Sequence, residues 1–202
     1  KDLVQPLYAL EDATNYQTLT GQCIWQAADV MSQLIHDNLG PSGIFKGSKI
    51  LELGSGTGLG GLIAANYADE VILTDYQDTI MKLLSMNINL ETKNAKCTYA
   101  MLDWLKITQD NYYNEIQLFD KNDQQSGLLK DTKLDFLIGS DLLWQSTMVP
   151  GLINTLNILF DQNDHLVFYH CYIERSLALH QDLLLAYKDN GYIVEYIADD
   201  LI

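Results

Sequence analysis

Apolar positions along the chain follow two alternating rhythms, one typical of β-strands and one typical of α-helices. Short apolar runs predict strands at 49–53, 70–75, about 95–101, 134–141, 165–171 and 192–198. Apolar residues spaced three and four apart predict helices at 23–39, about 59–66, 77–90, about 147–160 and about 173–189. Strands that alternate with helices require crossover connections, so the pattern predicts an α/β fold with a mostly parallel, doubly wound sheet and helices on both faces.

One polar segment, residues 105–133, interrupts this alternation. It is rich in Asn, Gln and Asp and predicts a short helix inside a long surface loop, favoured as a variable insertion over a lid. A length of 202 residues suits one domain with its own core. The sequence therefore predicts a single domain over 1–202, with an N-terminal extension at 1–19 and the N-terminal helix within 20–39.

Five glycines within eight residues follow the first predicted strand, in the stretch KILELGSGTGLGGLIAANY. In a doubly wound sheet, ligands bind at the carboxyl ends of the strands. A glycine-rich first turn there lets the backbone approach the ligand, while the next helix directs its N–H groups at it. A tight turn without a ligand needs only one or two glycines. The stretch therefore predicts the floor of a nucleotide-type pocket.

Two kinds of ligand compete for this pocket. GTGLGG matches the dinucleotide pattern G-x-G-x-x-G, and Asp75 ends the second strand, where such a fold places its ribose-binding acid. The strand ends just before Gly54, however, so Gly54, Gly56 and Gly58 form the turn and the last glycine of the match falls inside the helix. Glu52 would repel a pyrophosphate and suits a cationic sulfonium and ammonium. The register therefore favours S-adenosylmethionine.

The chain is strongly acidic, with 12 Lys and Arg residues against 27 Asp and Glu residues and a formal net charge of −15. Such a charge repels phosphate backbones and argues against direct nucleic-acid binding, which usually needs a basic surface. Acidity is compatible with a basic protein partner, such as a lysine-rich segment, and also with plain solubility. Solubility is the favoured interpretation of charge alone.

Cysteine usage and hydropathy indicate a cellular compartment. Cys23, Cys97 and Cys171 are widely separated and odd in number, as expected of reduced thiols in an intracellular protein. No window of about eighteen uncharged apolar residues occurs, and the four histidines show no metal-binding spacing. We expect a soluble protein of the cytoplasm, with the nucleus also open, and no metal site. The chain does not begin with Met, which leaves room for a preceding transit peptide.

Several stretches together resemble one enzyme family. LELGSGTG resembles motif I of the Rossmann-like, seven-strand class I methyltransferases. TGQCIWQAADVMSQLI resembles the T-G-x-x-x-W-x-A-A helix of the family 16, protein-lysine methyltransferase-like group. Four later stretches are similar to later elements of that group: VILTDYQDTIMKLLSMNINLE, LDW, LDFLIGSDLLW and FYHCYIERSLALHQDLL. The resemblance spans residues 20 to about 198. It implies the seven-strand methyltransferase fold, with the last strand missing or short because the chain stops after YIVEYIADDLI.

The resemblance implies that S-adenosylmethionine is the cofactor and that residues at one sheet edge hold it. By position, the methionine and ribose part would be lined by Glu52, Gly54, Gly56 and Gly58, with Trp25 near the methionine end. Asp75 would accept hydrogen bonds from the ribose hydroxyls, and Tyr76 would lie against the adenine. Asp103 and Trp104 would lie at the adenine end, and Asp141 would border the cofactor. A carboxylate suits the ribose because it accepts from two vicinal hydroxyls at once.

Structural roles compete with three of these assignments. Trp25 stands on a helix beside alanines and could be a core residue. Asp75 precedes a helix that it could cap, and Asp103 could simply terminate a strand. The functional interpretation is favoured because the residues fall together at the carboxyl edge of one sheet.

Asp141 begins the stretch that the resemblance places closest to the chemistry. The D-x-x-Y/F motif of the family lines the entrance for the acceptor, and Asp141 would orient the acceptor amine while Trp144 walls the channel. Trp144 replaces the usual Tyr or Phe, and the acid often found just beyond it is absent, which leaves an altered substrate or lost activity open. Arg175 matches an Arg of related proteins, although a helix-surface ion pair is the favoured interpretation.

Three functions remain after this reasoning. The leading hypothesis is an S-adenosylmethionine-dependent methyltransferase that acts on a lysine side chain of another protein. The second is a catalytically inactive relative that serves as a binding module or as a subunit of an assembly. The third, a nucleotide-dependent oxidoreductase, is disfavoured by Glu52 and by the register of Gly54. Cofactor binding separates the third from the others, and methyl transfer separates the first from the second.

Overall fold

A central sheet of seven strands organises the computed structural model, which describes residues 5–9, 20–90, 96–107 and 112–197. The strands are β1 Lys49–Leu53, β2 Glu70–Asp75, β3 Cys97–Met101, β4 Gln117–Phe119, β5 Gln125–Leu128, β6 Phe136–Ser140 and β7 Val167–Cys171. Their order is β5-β4-β3-β2-β1-β6-β7, in which β3, β2, β1, β6 and β7 are parallel and the β4–β5 hairpin is antiparallel. The predicted α/β fold with a mostly parallel sheet is confirmed.

The helices lie between these strands much as the apolar spacing predicts. They are α1 Gln26–Leu34, α2 Leu59–Ala64, α3 Asp78–Ile88, α4 Tyr112–Glu115, α5 Val149–Gln162 and α6 Leu177–Asp189. Helix α1 continues directly into a π-helical turn at Ile35–Leu39. Helix α6 begins four residues later than predicted, because the Ser176 hydroxyl accepts a hydrogen bond from Leu179 N–H and caps the helix there.

Side chains that alternate along the strands build a core on each face of the sheet. Ile50 and Leu73 pack with α1, α2 and α3 on one face. Leu51 and Ile72 pack with α5 and α6 on the other. Both faces of β1 and β2 are therefore buried, which explains why these strands read as uninterrupted apolar runs.

The polar insertion departs from its prediction. The expected short helix is present as α4, but residues 117–128 are not a surface loop, since β4 and β5 form a hairpin that pairs with β3 at Tyr99 and Phe119. The turn of the hairpin is fixed by Asp123, whose carboxylate accepts from the hydroxyls of Ser85 and Tyr99, both at 2.6 Å. Strands of three and four residues bury too few apolar side chains to stand out in an Asn- and Gln-rich sequence.

The strand predicted at 192–198 is wrong for its described part, because residues 192–197 form no strand. Tyr192 instead packs on α5, with its ring 5.1 Å from that of Phe160 and its hydroxyl donating to Asn157 Oδ1 at 2.6 Å. Ile193 is 91% exposed, and in the described part of the chain residues 192–197 pair with no strand, although their apolar alternation predicted one.

The parallel strands bring five loops to one edge of the sheet. Because β1, β2, β3, β6 and β7 run in the same direction, the loops at their carboxyl ends lie side by side. The strand-end residues predicted to hold a cofactor or an acceptor lie in these loops or, for Glu52 and Asp75, at the ends of the strands that lead into them. The topology therefore gathers the candidate site before any side-chain contact is considered.

Asn87, near the end of α3, ties this edge to the N-terminal part of the chain. Its amide nitrogen donates to the carbonyl oxygens of Thr57, at 2.8 Å, and Tyr8, at 3.1 Å, and its oxygen accepts from Tyr8 N–H at 2.7 Å. Asn87 is fully buried, so each of these bonds replaces contact with water. The side chain thus fixes the loop after β1 from below.

Replacing Asn87 with Ala is expected to cost about 2–3 kcal/mol of unfolding free energy, because the Thr57 carbonyl is left buried without this partner and two partly buried bonds to Tyr8 are lost. Asn89→Ala, on the exposed side of the same helix end, is the matched control and is expected to cost less than about 1 kcal/mol. Urea titration measures both. Equal losses would contradict this role for Asn87.

Candidate functional site

The loop after β1 is held in a conformation that only glycine adopts at low cost. Gly54, Gly56 and Gly58 have φ values of 58°, 52° and 83°. Hydrogen bonds from Gly58 N–H to the Ser55 carbonyl, at 2.7 Å, and from Ser55 N–H to the Thr74 carbonyl, at 2.8 Å, close the turn. Left-handed φ disfavours any residue with a Cβ, so three separate glycines are required here.

Close neighbours reinforce this requirement. A Cβ on Gly54 would lie 2.9 Å from Leu142 Cδ2, and one on Gly56 would lie 2.9 Å from the Gly21 carbonyl oxygen. A Cβ on Gly58 would lie 2.9 Å from Leu84 Cδ2. The glycine loop, residues 54–58, is therefore packed between three other parts of the chain as well as being left-handed.

The segment that precedes α1 covers one side of the glycine loop. In this cover segment, residues 20–25, Trp25 Nε1 donates to the Thr20 carbonyl at 2.7 Å and closes the turn that holds Gly21 against Gly56. Trp25 is half-buried, and its ring lies 5.5 Å from the guanidinium carbon of Arg175. The structure thus places Trp25 at the carboxyl edge of the sheet.

Asp75 joins the glycine loop to the end of β2. Its Oδ2 accepts from Gly56 N–H at 3.1 Å and its Oδ1 from Tyr76 N–H at 2.7 Å. Burial raises the pKa of Asp75, while bonds from the N–H groups of Gly56, Tyr76 and Gln77 oppose that rise. No side chain caps α3, whose N-cap residue is Gln77, so the capping role for Asp75 is wrong. Its carboxylate instead lies beside the glycine loop, where contact with a ribose stays a prediction.

Glu52 lies beneath the loop, against the first turn of α2. A Cβ on Gly60 would lie 2.6 Å from its Oε1, and one on Gly61 would lie 2.8 Å from its Oε2, so these two glycines make room for the carboxyl group. Burial raises the pKa of Glu52 to about 8, an effect opposed by hydrogen bonds from Ser55 and Gly61 and increased by the Asp75 carboxylate. At neutral pH the group is mostly protonated. Its position beside the methionine part of a cofactor stays a prediction, and it offers little negative charge for one.

The three residues predicted around the adenine occupy the next two loops. Tyr76 is 48% exposed and its hydroxyl accepts from Gln77 Nε2. Trp104 is half-buried with its ring edge beside Gly54, where a Cβ would lie 3.6 Å away. Asp103 accepts from Leu105 N–H at 3.0 Å and so closes the turn after β3, the structural role that competed with adenine binding. The structure brings these side chains to the same edge as the glycine loop.

Asp141 and Arg175 form a bidentate ion pair at this edge. Arg175 donates from both terminal nitrogens to the two carboxylate oxygens, at 2.9 and 2.8 Å, and Ile173 N–H adds a bond at 3.2 Å. The Asp141 side chain is 5% exposed, and the contact raises the pKa of Arg175. The interpretation of Arg175 as half of a helix-surface pair is wrong, because Arg175 precedes α6 and its partner is the predicted acceptor-site acid.

A cavity of about 150 Å³ lies beside this pair, between the loop after β6 and α6. Its lining combines aromatic, charged and apolar side chains, including Trp144, His170, Tyr172, Arg175, His180 and Leu183. Trp144 is 58% exposed at its mouth. Burial lowers the pKa of His170 to about 4, although the nearby Asp141 carboxylate raises it. The imidazole is therefore neutral at pH 7. A larger open depression of about 310 Å³ between α4 and α5 contains none of the predicted site residues.

Sequence reasoning missed two features of this edge. Gly21 was not singled out, although its place against Gly56 explains the Thr-Gly pair before the Trp-containing helix. The partnership of Arg175 with Asp141 was also missed, although Arg175 is the single arginine of the chain and matches an Arg of related proteins. Within the described residues, no three His, Cys, Asp or Glu side chains cluster as metal ligands would. In the same part of the chain, no helix combines the length and apolarity that crossing a membrane requires.

Comparison with known proteins agrees with this arrangement. A family model described as lysine methyltransferase matches residues 5–183. The protein-lysine N-methyltransferase EFM3 of Chaetomium thermophilum is 27% identical over 182 residues, which are 87% of this chain and 49% of that protein. The protein N-lysine methyltransferase METTL21A of Xenopus tropicalis is 25% identical over 84% of this chain and 64% of its own length. The chain thus spans about half the length of the first relative and less than two thirds of the second.

Solved structures share the fold. A protein of Pyrococcus horikoshii assigned as an RNA methyltransferase superposes with a TM-score of 0.57 at 16% identity, over 94% of this chain and 80% of that one. At this identity the likeness concerns the fold alone. The predicted Rossmann-like methyltransferase fold is confirmed. Two of its seven strands are the inserted β4–β5 hairpin beside β3, and no described residue after β7 forms a strand.

The buried Glu52 carboxyl group is expected to make stability depend on pH. Its pKa is about 8 in the folded protein and near 4.5 when unfolded, so the folded state binds the extra proton between these values. Stability contributed by this group is therefore full below about pH 4.5 and is lost as pH rises through about 8, with a slope of up to about 1.4 kcal/mol per pH unit. Glu52→Gln lacks this loss.

Urea titrations of the wild type and Glu52→Gln at pH 5, 6, 7 and 8 measure the effect. The stability of the variant relative to the wild type is expected to increase steadily across that range. A difference that stays constant with pH would mean that Glu52 titrates normally in the folded protein.

Proposed function

This chain belongs to the lysine methyltransferase family, and on that premise we propose that it transfers a methyl group from S-adenosylmethionine to a lysine side chain of another protein. The observation that supports the proposal most is the left-handed glycine loop bonded to the Asp75 carboxylate, next to Asp141 and Trp144. The curated relatives named above carry protein-lysine methyltransferase names, and one further relative, of Xenopus tropicalis, is named EEF1A lysine methyltransferase 3.

The residues at this edge fit S-adenosylmethionine. Gly54 and Gly56 let the loop backbone pack against Leu142 and the Gly21 carbonyl oxygen, each of which would lie 2.9 Å from an added Cβ, and Asp75 has carboxylate lone pairs beyond those bonded to the loop. We expect the loop to hold the methionine and ribose part, Asp75 the ribose hydroxyls, and Tyr76 with Trp104 the adenine. When bound, the cofactor supplies an electrophilic methyl carbon on its sulfonium.

The acceptor side is the part of the edge around Asp141 and Trp144. Methyl transfer is an in-line displacement, so the protein contributes mainly by aligning a neutral amine and excluding water. The exposed Trp144 ring at the cavity mouth suits a lysine ammonium as it arrives, before it loses its proton. The net charge of −15 favours acceptors in basic segments. We propose that this activity is cytoplasmic, because cysteines that form no disulfide, as here, are typical of that compartment.

A catalytically inactive relative is the second candidate. One observation favours it: Asp141 accepts two bonds from Arg175 and a third from Ile173 N–H, so most of its acceptor capacity is used within the protein in this arrangement. Such a protein would bind S-adenosylmethionine and transfer nothing. Measurements of binding and of transfer therefore have to be made separately.

Cofactor affinity is expected to depend on Gly56. Gly56→Ala places a Cβ at left-handed φ and 2.9 Å from the Gly21 carbonyl oxygen, so affinity for S-adenosylmethionine is expected to fall at least about tenfold. Gly47→Ala is the matched control, because Gly47 has a φ of 80° but no neighbour within 4 Å of an added Cβ. Equilibrium dialysis with labelled cofactor measures both, and equal affinities would argue against the loop as the binding site.

Methyl transfer is expected to depend on Asp141. Wild-type protein incubated with cell extract and methyl-labelled cofactor should label protein lysines, and Asp141→Ala should reduce the rate about a hundredfold at saturating cofactor. Asp135→Ala, at the other end of β6, removes an acid that bonds Lys49 N–H and should leave the rate unchanged. Transfer that survives Asp141→Ala would remove that residue from the mechanism, and cofactor binding without any labelling would favour the inactive relative.

A further inference from the structure

Arg175 contacts two of the three parts of the chain that pack on the glycine loop, and neither the family match nor the sequence gives it a function. We propose that Arg175 is a positioning residue that braces the glycine loop from two sides, through Trp25 and through Asp141. The proposal deepens the proposed function and rests on it where it concerns cofactor affinity. The bracing itself is a property of the free protein and can be measured without any ligand.

The first side of the brace runs through the cover segment. The Arg175 guanidinium carbon lies 5.5 Å from the centroid of the Trp25 ring, within the range of a cation–π contact. Trp25 Nε1 donates to the Thr20 carbonyl at 2.7 Å, and Gly21 follows with its carbonyl oxygen against Gly56. A shift of the indole therefore reaches the middle of the glycine loop through one short turn.

The second side runs through the loop after β6. Asp141 has a left-handed φ of 49°, an unusual conformation for a residue with a Cβ. It is held there by the two bonds from Arg175, by Ile173 N–H, and by its own N–H bond to the Cys171 carbonyl at 2.9 Å. The next residue, Leu142, packs against Gly54, where an added Cβ would lie 2.9 Å from Leu142 Cδ2. Strain at Asp141 thus sets the position of the side chain that closes on Gly54.

An arginine suits this position better than a lysine. A planar guanidinium binds a carboxylate through two nitrogens in its plane and can lie over an aromatic ring at the same time, whereas an ammonium is a single point charge. The Asp141 side chain is 5% exposed while that of Arg175 is 46% exposed, so the pair is anchored at the carboxylate and reaches outward to Trp25. One side chain therefore holds two loops and the cover segment in a fixed relation.

A gate is the competing function for the same contacts. In a gate, the guanidinium would occupy the place of the acceptor ammonium at Asp141 and would have to leave before the acceptor enters. The two functions predict opposite results, because losing a brace loosens the glycine loop and weakens cofactor binding, while losing a gate leaves the loop intact and speeds transfer.

The test compares Arg175→Gln, Arg175→Lys and a control, Lys49→Gln, by amide hydrogen exchange in the free protein. Lys49→Gln breaks an ion pair with Glu70, 2.7 Å long, at the amino edge of the same sheet. In Arg175→Gln, exchange of amides 54–58 is expected to accelerate about 3- to 10-fold, because local opening becomes easier. Arg175→Lys, which keeps a charge over Trp25, is expected to recover part of this protection, and Lys49→Gln is expected to leave it unchanged.

The second measurement is the affinity for S-adenosylmethionine at a temperature at which every variant is folded. Arg175→Gln is expected to weaken it about 3- to 10-fold, and less than that in a Trp25→Leu background, since one side of the brace is already lost. A merely structural role would lower the melting temperature without this non-additivity. Unchanged exchange at 54–58, or faster transfer in Arg175→Gln, would overturn the proposal. Accelerated exchange in a protein whose wild type binds no S-adenosylmethionine would support the brace and reject the proposed function.

Discussion

The hydrogen bond from Gly56 N–H to the Asp75 carboxylate is the contact on which the candidate site depends. It forms because three left-handed glycines turn the chain sharply at the end of β1, so that a backbone donor faces the end of β2. The parallel sheet supplies the geometry, since it places both strand ends at one edge. Other elements are then arranged around this loop: Asn87 holds it from below, the cover segment lies on Gly56, and Leu142 closes on Gly54.

Central strands and the glycine loop could be predicted from sequence because their signals are local. Buried parallel strands appear in the sequence as apolar runs, and a loop with no room for Cβ atoms appears as a series of glycines. The β4–β5 hairpin and the late start of α6 could not be predicted in this way. The hairpin depends on Asp123 reaching Ser85 and Tyr99, and the helix start on a single serine cap. The contact of Arg175 with Asp141 joins residues 34 positions apart and leaves no trace in either neighbourhood.

Charge at the site differs from what the sequence suggested. The sequence predicted that Glu52 is a carboxylate that favours a cationic ligand. Burial instead raises its pKa to about 8, and its side chain packs under the loop against Gly60 and Gly61. Asp75 and Asp141 lie at the carboxyl edge of the sheet. Asp75 accepts hydrogen bonds from backbone N–H groups, and Asp141 accepts them from the Arg175 guanidinium. An acid near a glycine loop therefore acquires its role from the direction in which its side chain packs.

The decisive experiment is isothermal titration of the purified protein with S-adenosylmethionine, and separately with NADH and NADPH, the other ligands that a glycine loop of this kind can bind. We expect saturable binding of S-adenosylmethionine with a dissociation constant on the order of micromolar and no measurable heat from either dinucleotide. A folded sample that binds NADH or NADPH, or that binds none of the three, would contradict the assignment of this loop and Asp75 to a methyl-donor site.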